Sequence, residues 1–376
     1  MFPDLRVGII GTGFVGRVHA AAARSLGAEL VGVAASTPER AAVAARELGA
    51  GRGFRAAEEL VGDPRVDVVH VCTPNDLHFG LSELALSAGK HVVCEKPLST
   101  SVAEAAALLQ SAGRSGLVAA VPFVYRFHPT VREARERVRS GETGPVTVIH
   151  GSYLQDWLLG VGETSWRVSA QRGGASRAFA DIGSHWCDLA EWITGHRIVE
   201  LVSTVQVTVA ERPLPAGTTF ETAGRSVSRR PVDTEDVACL LFHTDRGAVG
   251  SLTVSQVSAG RKNRLWIEVD GAEGSVAFDQ ENSEYLWLGT RSANTILMRD
   301  QAVLSAPARA YATMPGGHAQ GYQDCFSAFV RDVYTSIARR EIVDGLPTFL
   351  DGLRAARITD AVVDSARKGS WIEVSA

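Results

Sequence analysis

Short apolar runs alternate with stretches of helical composition through the first third of the chain. The runs are Leu5 to Ile10, broken only by Arg6, then Glu29 to Ala34, Val66 to Val71, His91 to Cys94 and Leu117 to Val121. Between them Arg17 to Leu26, a stretch ending near Leu48, Leu77 to Ala88 and Val102 to Ala112 have the composition of helices. Strands that are apolar along their whole length are buried on both faces, and strands alternating with helices pair in parallel through right-handed crossovers. The pattern predicts an α/β domain over residues 1–122, a doubly wound parallel sheet of the Rossmann type.

After Pro122 the period changes. Val146 to Trp157 alternates polar with apolar residues, as a strand with one wet face does. Similar runs follow at Ile198 to Val209, Val237 to His243, Ala248 to Val257, Arg264 to Val269, Ser275 to Phe278 and Glu284 to Leu288, with Gly271 and Gly274 placed for a hairpin turn. Residues 123–376 are expected to form an α+β domain with a large, open, mostly antiparallel sheet. Such a sheet invites self-association, as a homodimer or homotetramer. Gln320 to Ala338 reads as a helix whose apolar stripe is core, and Arg212 to Asp236, rich in Pro, Gly, Ser and Thr, reads as a long loop.

Composition narrows the partners. A length of 376 residues with 45% hydrophobic content suits two domains, each with its own core. The net charge of -4 comes without blocks of like charge, so neither nucleic acid nor an anionic membrane is an expected partner; a small molecule is. Cys72, Cys94, Cys187, Cys239 and Cys325 are odd in number and contain no C-x-x-C pair, which predicts free thiols in a reducing compartment. No run reaches the ~18 apolar residues of a membrane span, and no leader pattern opens the chain, so the expected location is cytoplasmic.

The first candidate site is Gly11-Thr12-Gly13-Phe14-Val15-Gly16, between a strand and a helix. Gly11 suits the tight turn, Gly13 lets a pyrophosphate approach the backbone, and Gly16 lets helix and strand pack closely, with Phe14 and Val15 between them expected at the cofactor as well. The implied cofactor is NAD or NADP. No acidic residue ends the second strand; Ser36, Thr37 and Arg40 stand there instead and suit a 2'-phosphate, which tilts the expectation to NADP. The third strand ends in Thr73-Pro74-Asn75 with His78 following, either as cofactor contacts or, at Asn75 or Asp76, as a helix cap. The fourth stops at Glu95-Lys96-Pro97, because proline cannot continue the ladder, and so leaves Glu95 and Lys96 at the ligand edge.

A second constellation lies in the later half. Glycines at 173 and 174 precede an amphipathic run in which Asp181 and His185 are spaced i, i+4, one above the other on a uniform helix. An aspartate there would raise the basicity of the imidazole and fix its tautomer, although a plain ion pair fits the same spacing. Asp181, His185, Cys187 and Asp188 are candidate metal ligands by type, but only two or three of them can share a face and zinc wants more, so no metal is expected.

Taken together, the glycine turn, Thr73-Pro74-Asn75 with His78, Glu95-Lys96-Pro97, and Asp181-x-Gly183-x-His185 resemble the Gfo/Idh/MocA family of glucose-fructose oxidoreductase, inositol dehydrogenase and rhizopine catabolism, within it the levoglucosan dehydrogenase branch. The resemblance covers the whole chain. It implies hydride transfer between NAD(P) and a sugar, anhydrosugar or cyclitol, with Lys96, Asp181 and His185 as catalytic residues and Trp166-Arg167 near the nicotinamide. It further implies that Tyr125, Gln155 and Trp157 line the sugar pocket with Lys96, Asp181 and His185. Ala35 stands where that branch carries its ribose-binding acid. Two other outcomes fit the same scaffold: a glycosidase or lyase that uses NAD transiently, and a non-catalytic dinucleotide-binding regulator.

Overall fold

In the computed structural model, which describes residues 1–213, 221–222 and 228–375, β1 (Arg6–Ile10) is buried from Val7 onward. That burial suits the middle of a sheet and not its edge. β2 (Glu29–Ala34), β3 (Arg52–Gly53), β4 (Val68–Val71), β5 (His91–Cys94) and β6 (Ala119–Ala120) join it in the order β3-β2-β1-β4-β5-β6, all parallel. This is the doubly wound order, and the winding reverses between β1 and β4, so the crevice lies at the carboxyl ends of those two strands. β3 escapes the hydrophobic pattern because a two-residue edge strand needs no apolar signal.

Local chemistry sets the helix limits. Helix α1 (Phe14–Ser25) follows the glycine turn directly. Helix α2 (Pro38–Leu48) starts at Thr37, whose Oγ1 accepts the Arg40 N–H at 3.3 Å, and stops at Gly49 in the left-handed region. Helix Val102–Ser115 is capped by Ser101 in the same way.

Packing divides the chain into two units that a single cut after Pro122 does not describe. The first comprises Met1–Val124, Gln171–Gly174 and Gln323–Ala356; the second comprises Tyr125–Ala170, Ala175–Tyr322 and Arg357–Ala376. Most of helix Tyr322–Arg339 therefore belongs with the amino-terminal sheet, where Phe326, Phe329, Val330 and Val333 are buried.

The second unit is built on nine strands. Their order is Asn294–Met298, Tyr285–Gly289, Ser275–Asp279, Arg264–Gly271, Val146–Leu154, Val249–Ser255, Val237–Thr244, Ile198–Gln206 and Ile372–Glu373. All pairs are antiparallel except Val146–Leu154 with Val249–Ser255. Alternation is clean: Leu240 and Phe242 are buried, while Leu241 between them is 54% exposed. The first and last strands of this order, and the helix Phe349–Lys368, are additions to the elements expected from the sequence. Of the expected loop from Arg212 to Asp236, Glu211–Pro213 pairs with Arg229–Pro231 and most of the intervening residues lie outside the described ones. Among the described residues no helix is long and apolar enough to cross a membrane.

Candidate active site

In the first unit the site is written largely in backbone. Gly11 has φ +97°, and a Cβ there would lie 2.4 Å from the carbonyl oxygen of Cys72. At Gly16 a Cβ would lie 2.0 Å from the Gly11 carbonyl oxygen, so only glycine lets the turn fold against its helix. The first turn of α1 carries no acidic residue, leaving its N–H end open to an anion. Gly13 and Phe14 are exposed and Val15 half-buried. Thr73 Oγ1, at the end of β4, is buried and meets no hydrogen-bond partner among the described residues. A Cβ-free cradle, an open helix end and an orphaned hydroxyl together fit a dinucleotide phosphate.

The remaining residues expected to bind the cofactor divide by role. Arg40 Nη1 donates to Ser36 Oγ at 3.2 Å, whereas the Thr37 hydroxyl is committed to capping α2. Asn75 Nδ2 donates to the Gly173 carbonyl at 2.9 Å, so Asn75 is a tether and not the helix cap; the turn beginning there has Pro74 at its cap position and no side-chain cap. His78 is fully buried, with Nδ1 2.7 Å from the Pro97 carbonyl and Nε2 2.9 Å from the Thr73 carbonyl. Both ring nitrogens lie within hydrogen-bond distance of a backbone carbonyl, and the neutral ring has one N–H to donate to one of them. This corrects the expectation of a cofactor contact: His78 joins the Thr73-Pro74 and Lys96-Pro97 turns, and burial holds its pKa below the usual value. Lys96 follows β5 as expected, and Glu95 beside it is 8% exposed.

In the second unit the site is a side-chain network. Asp181 falls in a π-helical turn, Phe179–Gly183, and His185 in the first turn of the α-helix Ser184–Thr194. The change of helical period between them replaces the uniform i, i+4 stacking expected from the spacing. Asp181 Oδ2 accepts from Gln256 Nε2 at 2.8 Å, and Oδ1 lies 3.4 Å from Arg167 Nε. Arg167 also stacks over the Trp166 ring at 4.4 Å, so this pair is brought to Asp181. Asp188 is committed to Arg126 through two hydrogen bonds, which takes it out of any metal set with Asp181 and His185.

His185 packs edge-on to Tyr125, with ring centroids 5.1 Å apart. Tyr125 and Tyr153 share a hydroxyl hydrogen bond of 2.5 Å, and Asn263 closes the ring by donating to Tyr125 Oη at 3.0 Å and accepting from Tyr153 at 2.8 Å. Gln155 Nε2 donates to the same Asn263 oxygen at 2.8 Å, and Trp157 Nε1 donates to Gln155 Oε1 at 2.8 Å. Burial, then the neighbouring Tyr125, pushes the Tyr153 phenol well above its ordinary value, so it stays a neutral donor.

The π turn is anchored from below. Glu235 accepts from Ser176 Oγ at 2.7 Å and from the backbone N–H groups of Arg177 and Phe179 at 3.0 and 2.9 Å. Asp236 is gripped by both Arg177 and Arg212, all three side chains fully buried.

Asn263 and Gln256 are the site residues that the sequence reading missed. Gln256 falls inside the expected strand Ala248 to Val257, whereas the strand ends at Ser255, and no proline marks that end in the sequence. Asn263 lies in a charged turn and carries no comparable local signal.

A parallel sheet with a glycine cradle at its switch point, joined in one chain to a mostly antiparallel sheet unit rich in polar side chains, defines a dinucleotide-dependent oxidoreductase. The chain belongs to the Gfo/Idh/MocA family: residues 5–123 match the model described as "Oxidoreductase family, NAD-binding Rossmann fold", and residues 131–277 match the "GFO/IDH/MocA C-terminal domain". It is similar to the levoglucosan dehydrogenase of Pseudarthrobacter phenanthrenivorans, 33% identical over 99% of this chain and 98% of that one. Among solved structures, an oxidoreductase domain protein from Kribbella flavida is 33% identical, with a TM-score of 0.91 and full coverage of both chains. Levoglucosan dehydrogenase in complex with NADH and L-sorbose is 30% identical, with a TM-score of 0.90 over 99% of each chain.

Proposed function

We propose that the protein oxidises, reversibly, a secondary alcohol of a sugar, anhydrosugar or cyclitol. The reading is carried by one observation: the chain matches levoglucosan dehydrogenase along nearly its whole length and carries Lys96 just past the end of a buried strand, Asp181 in a π turn and His185 in the first turn of a helix. A bound nicotinamide cofactor supplies the hydride acceptor. Lys96 binds the substrate oxygen and stabilises the negative charge that develops on it, and His185 accepts the hydroxyl proton. Asp181, kept in place by Gln256 and Arg167, orients the group that moves the proton. Gln155, Tyr125 and Tyr153 offer donors and acceptors to ring hydroxyls, and Trp157 a flat apolar wall.

The NADH-bound relative supports NAD(H) as the working cofactor and lends the NADP tilt no support. The contact between Ser36 and Arg40 is the feature that would admit a 2'-phosphate. The uncovered face of the nine-stranded sheet, with Leu241 and Val249 exposed on strands whose alternate residues are buried, supports self-association as a homodimer or homotetramer.

The test is a screen of levoglucosan, myo-inositol and simple aldoses with NAD and NADP in separate arms, followed by K96A and H185A on the best pair. A sustained rise in reduced-nicotinamide absorbance is expected, together with a fall in kcat of roughly 100-fold or more in each variant. Near wild-type turnover in both variants would overturn the reading, and substrate consumption without net reduction would redirect it to transient redox chemistry.

A further inference from the structure

Behind Lys96 the first unit buries a string of polar groups that the proposed reaction does not use. Glu95 is 8% exposed, and His19, His70 and Tyr334 are fully buried. His19 Nε2 lies 3.0 Å from Glu95 Oε1, His19 Nδ1 lies 2.7 Å from His70 Nδ1, and Tyr334 Oη lies 3.2 Å from His70 Nε2. The four residues come from α1, β4, the end of β5 and helix Tyr322–Arg339. Rings close around them: Phe326 packs edge-on to His19 at 4.6 Å, and Phe2 edge-on to Tyr334 at 5.6 Å.

A proton count, taken with Glu95 ionised, fixes the direction of this string. Two imidazole nitrogens facing each other at 2.7 Å require one N–H between them. Every member is satisfied when Tyr334 O–H donates to His70 Nε2, His70 Nδ1–H to His19 Nδ1, and His19 Nε2–H to an ionised Glu95. Each imidazole then carries one proton and no charge. Burial, and after it the neighbouring His19, holds the His70 pKa well below the ordinary value. Burial raises the Glu95 carboxyl, but His19, then Lys96 and His78, outweigh it and the net direction is down. Putting a proton on Glu95 would reverse all three hydrogen bonds at once.

The other carboxylate oxygen ties the string to the site, since Glu95 Oε2 accepts the backbone N–H of Lys96 at 3.2 Å. The titratable groups facing Glu95 are His19 on α1, His78 on the helix His78–Ser87, Lys96 beside it, and Cys72 and Cys94 at the ends of β4 and β5. Burial pushes the Cys94 thiol up to about 12 and that of Cys72 well above its usual value, so neither supplies charge.

We propose that His19, His70 and Tyr334 are positioning residues that keep Glu95 ionised and fixed and through it hold Lys96 in register for the substrate oxygen, a hold that is lost when Glu95 takes up a proton. The proposal rests on the assignment of Lys96 as the oxygen-binding group. Glu95 does not touch the substrate in this scheme; it is the fixed counter-charge to the ammonium.

The test uses the full-length protein with histidine labelled in nitrogen-15, H19Q and H19L, and K96A as the reference. In the wild type near neutral pH, NMR is expected to find His19 protonated at Nε2 and His70 at Nδ1. H19Q keeps an N–H near the place of Nε2 and is expected to retain the wild-type pH profile. H19L is expected to move the acid limb of the kcat/KM profile upward by about one pH unit, with kcat down about tenfold, while NADH affinity is held. An unshifted profile in H19L, alongside an inactive K96A, would overturn the positioning role. An active K96A would instead overturn the assignment of Lys96 on which the proposal rests. Should H19L fail to fold, the wild-type spectrum decides: two imidazolium rings, or both rings protonated at Nε2, would overturn the proposal without any assay.

Discussion

The two units place their chemistry by different means. In the first, the decisive positions are backbone ones: a glycine turn that excludes any Cβ, and strand ends whose place follows from where an apolar run stops. In the second, side chains from one strand, the segment that follows it and two separate turns hold one another: Tyr125, Tyr153, Gln155, Trp157 and Asn263 form a single hydrogen-bonded patch. A site of the first kind tolerates varied side chains and no added atoms. A site of the second kind is built for particular polar groups, each making one to three hydrogen bonds.

The largest contrast is expected at Gly16. G16A places a methyl group against the Gly11 carbonyl, so the turn must open or the helix must shift. NADH affinity, measured by calorimetric titration, is expected to fall by about 100-fold or more, ~3 kcal/mol of imposed strain. An unchanged affinity would mean that the cradle is not set by backbone contact.

Acid stability offers a second way to separate the units, because each buries a neutral histidine: His70 in the first, His128 in the second. Burial holds His128 down to about 4, against weak support from Glu284. Its folded pKa is below the unfolded value, so the unfolded chain takes up the proton first and stability drains away as pH falls from about 6.5 to about 4. The span corresponds to on the order of 3 kcal/mol. H128F keeps a ring between Tyr125 and Phe278 and removes the titration. Denaturant unfolding of the second unit is expected to lose that much of its pH slope, whereas the slope tied to His70 persists.

The smallest effect sharpens the network side of the comparison. N263A takes a shared partner from Tyr125, Tyr153 and Gln155 and leaves each of them in place. The sugar KM is expected to rise about tenfold, ~1.4 kcal/mol, with kcat changed by less than about threefold. A collapse of kcat with KM constant would instead place Asn263 among the groups that act on the reacting atoms.

The same contrast explains what a linear reading reaches. The parallel sheet, the glycine turn and Lys96 were legible because hydrophobic period, glycine sterics and proline are local signals. Asp181 and His185 were found as a pair, but their geometry was not, since residue spacing does not announce a π turn. His78 was misassigned because nothing in its neighbourhood along the chain shows that two carbonyls close on its ring. Asn263, more than a hundred residues from Tyr125, joins that tyrosine only in three dimensions.

The grip of Arg177 and Arg212 on Asp236 has an evolutionary side. It fastens the chain at Arg212 and again at Glu235-Asp236, on the same footing that seats the π turn. A change at Arg177, Arg212 or Asp236 would leave a buried charge without its partner, so the three positions can only be exchanged together. Selection thus meets them as one inherited unit.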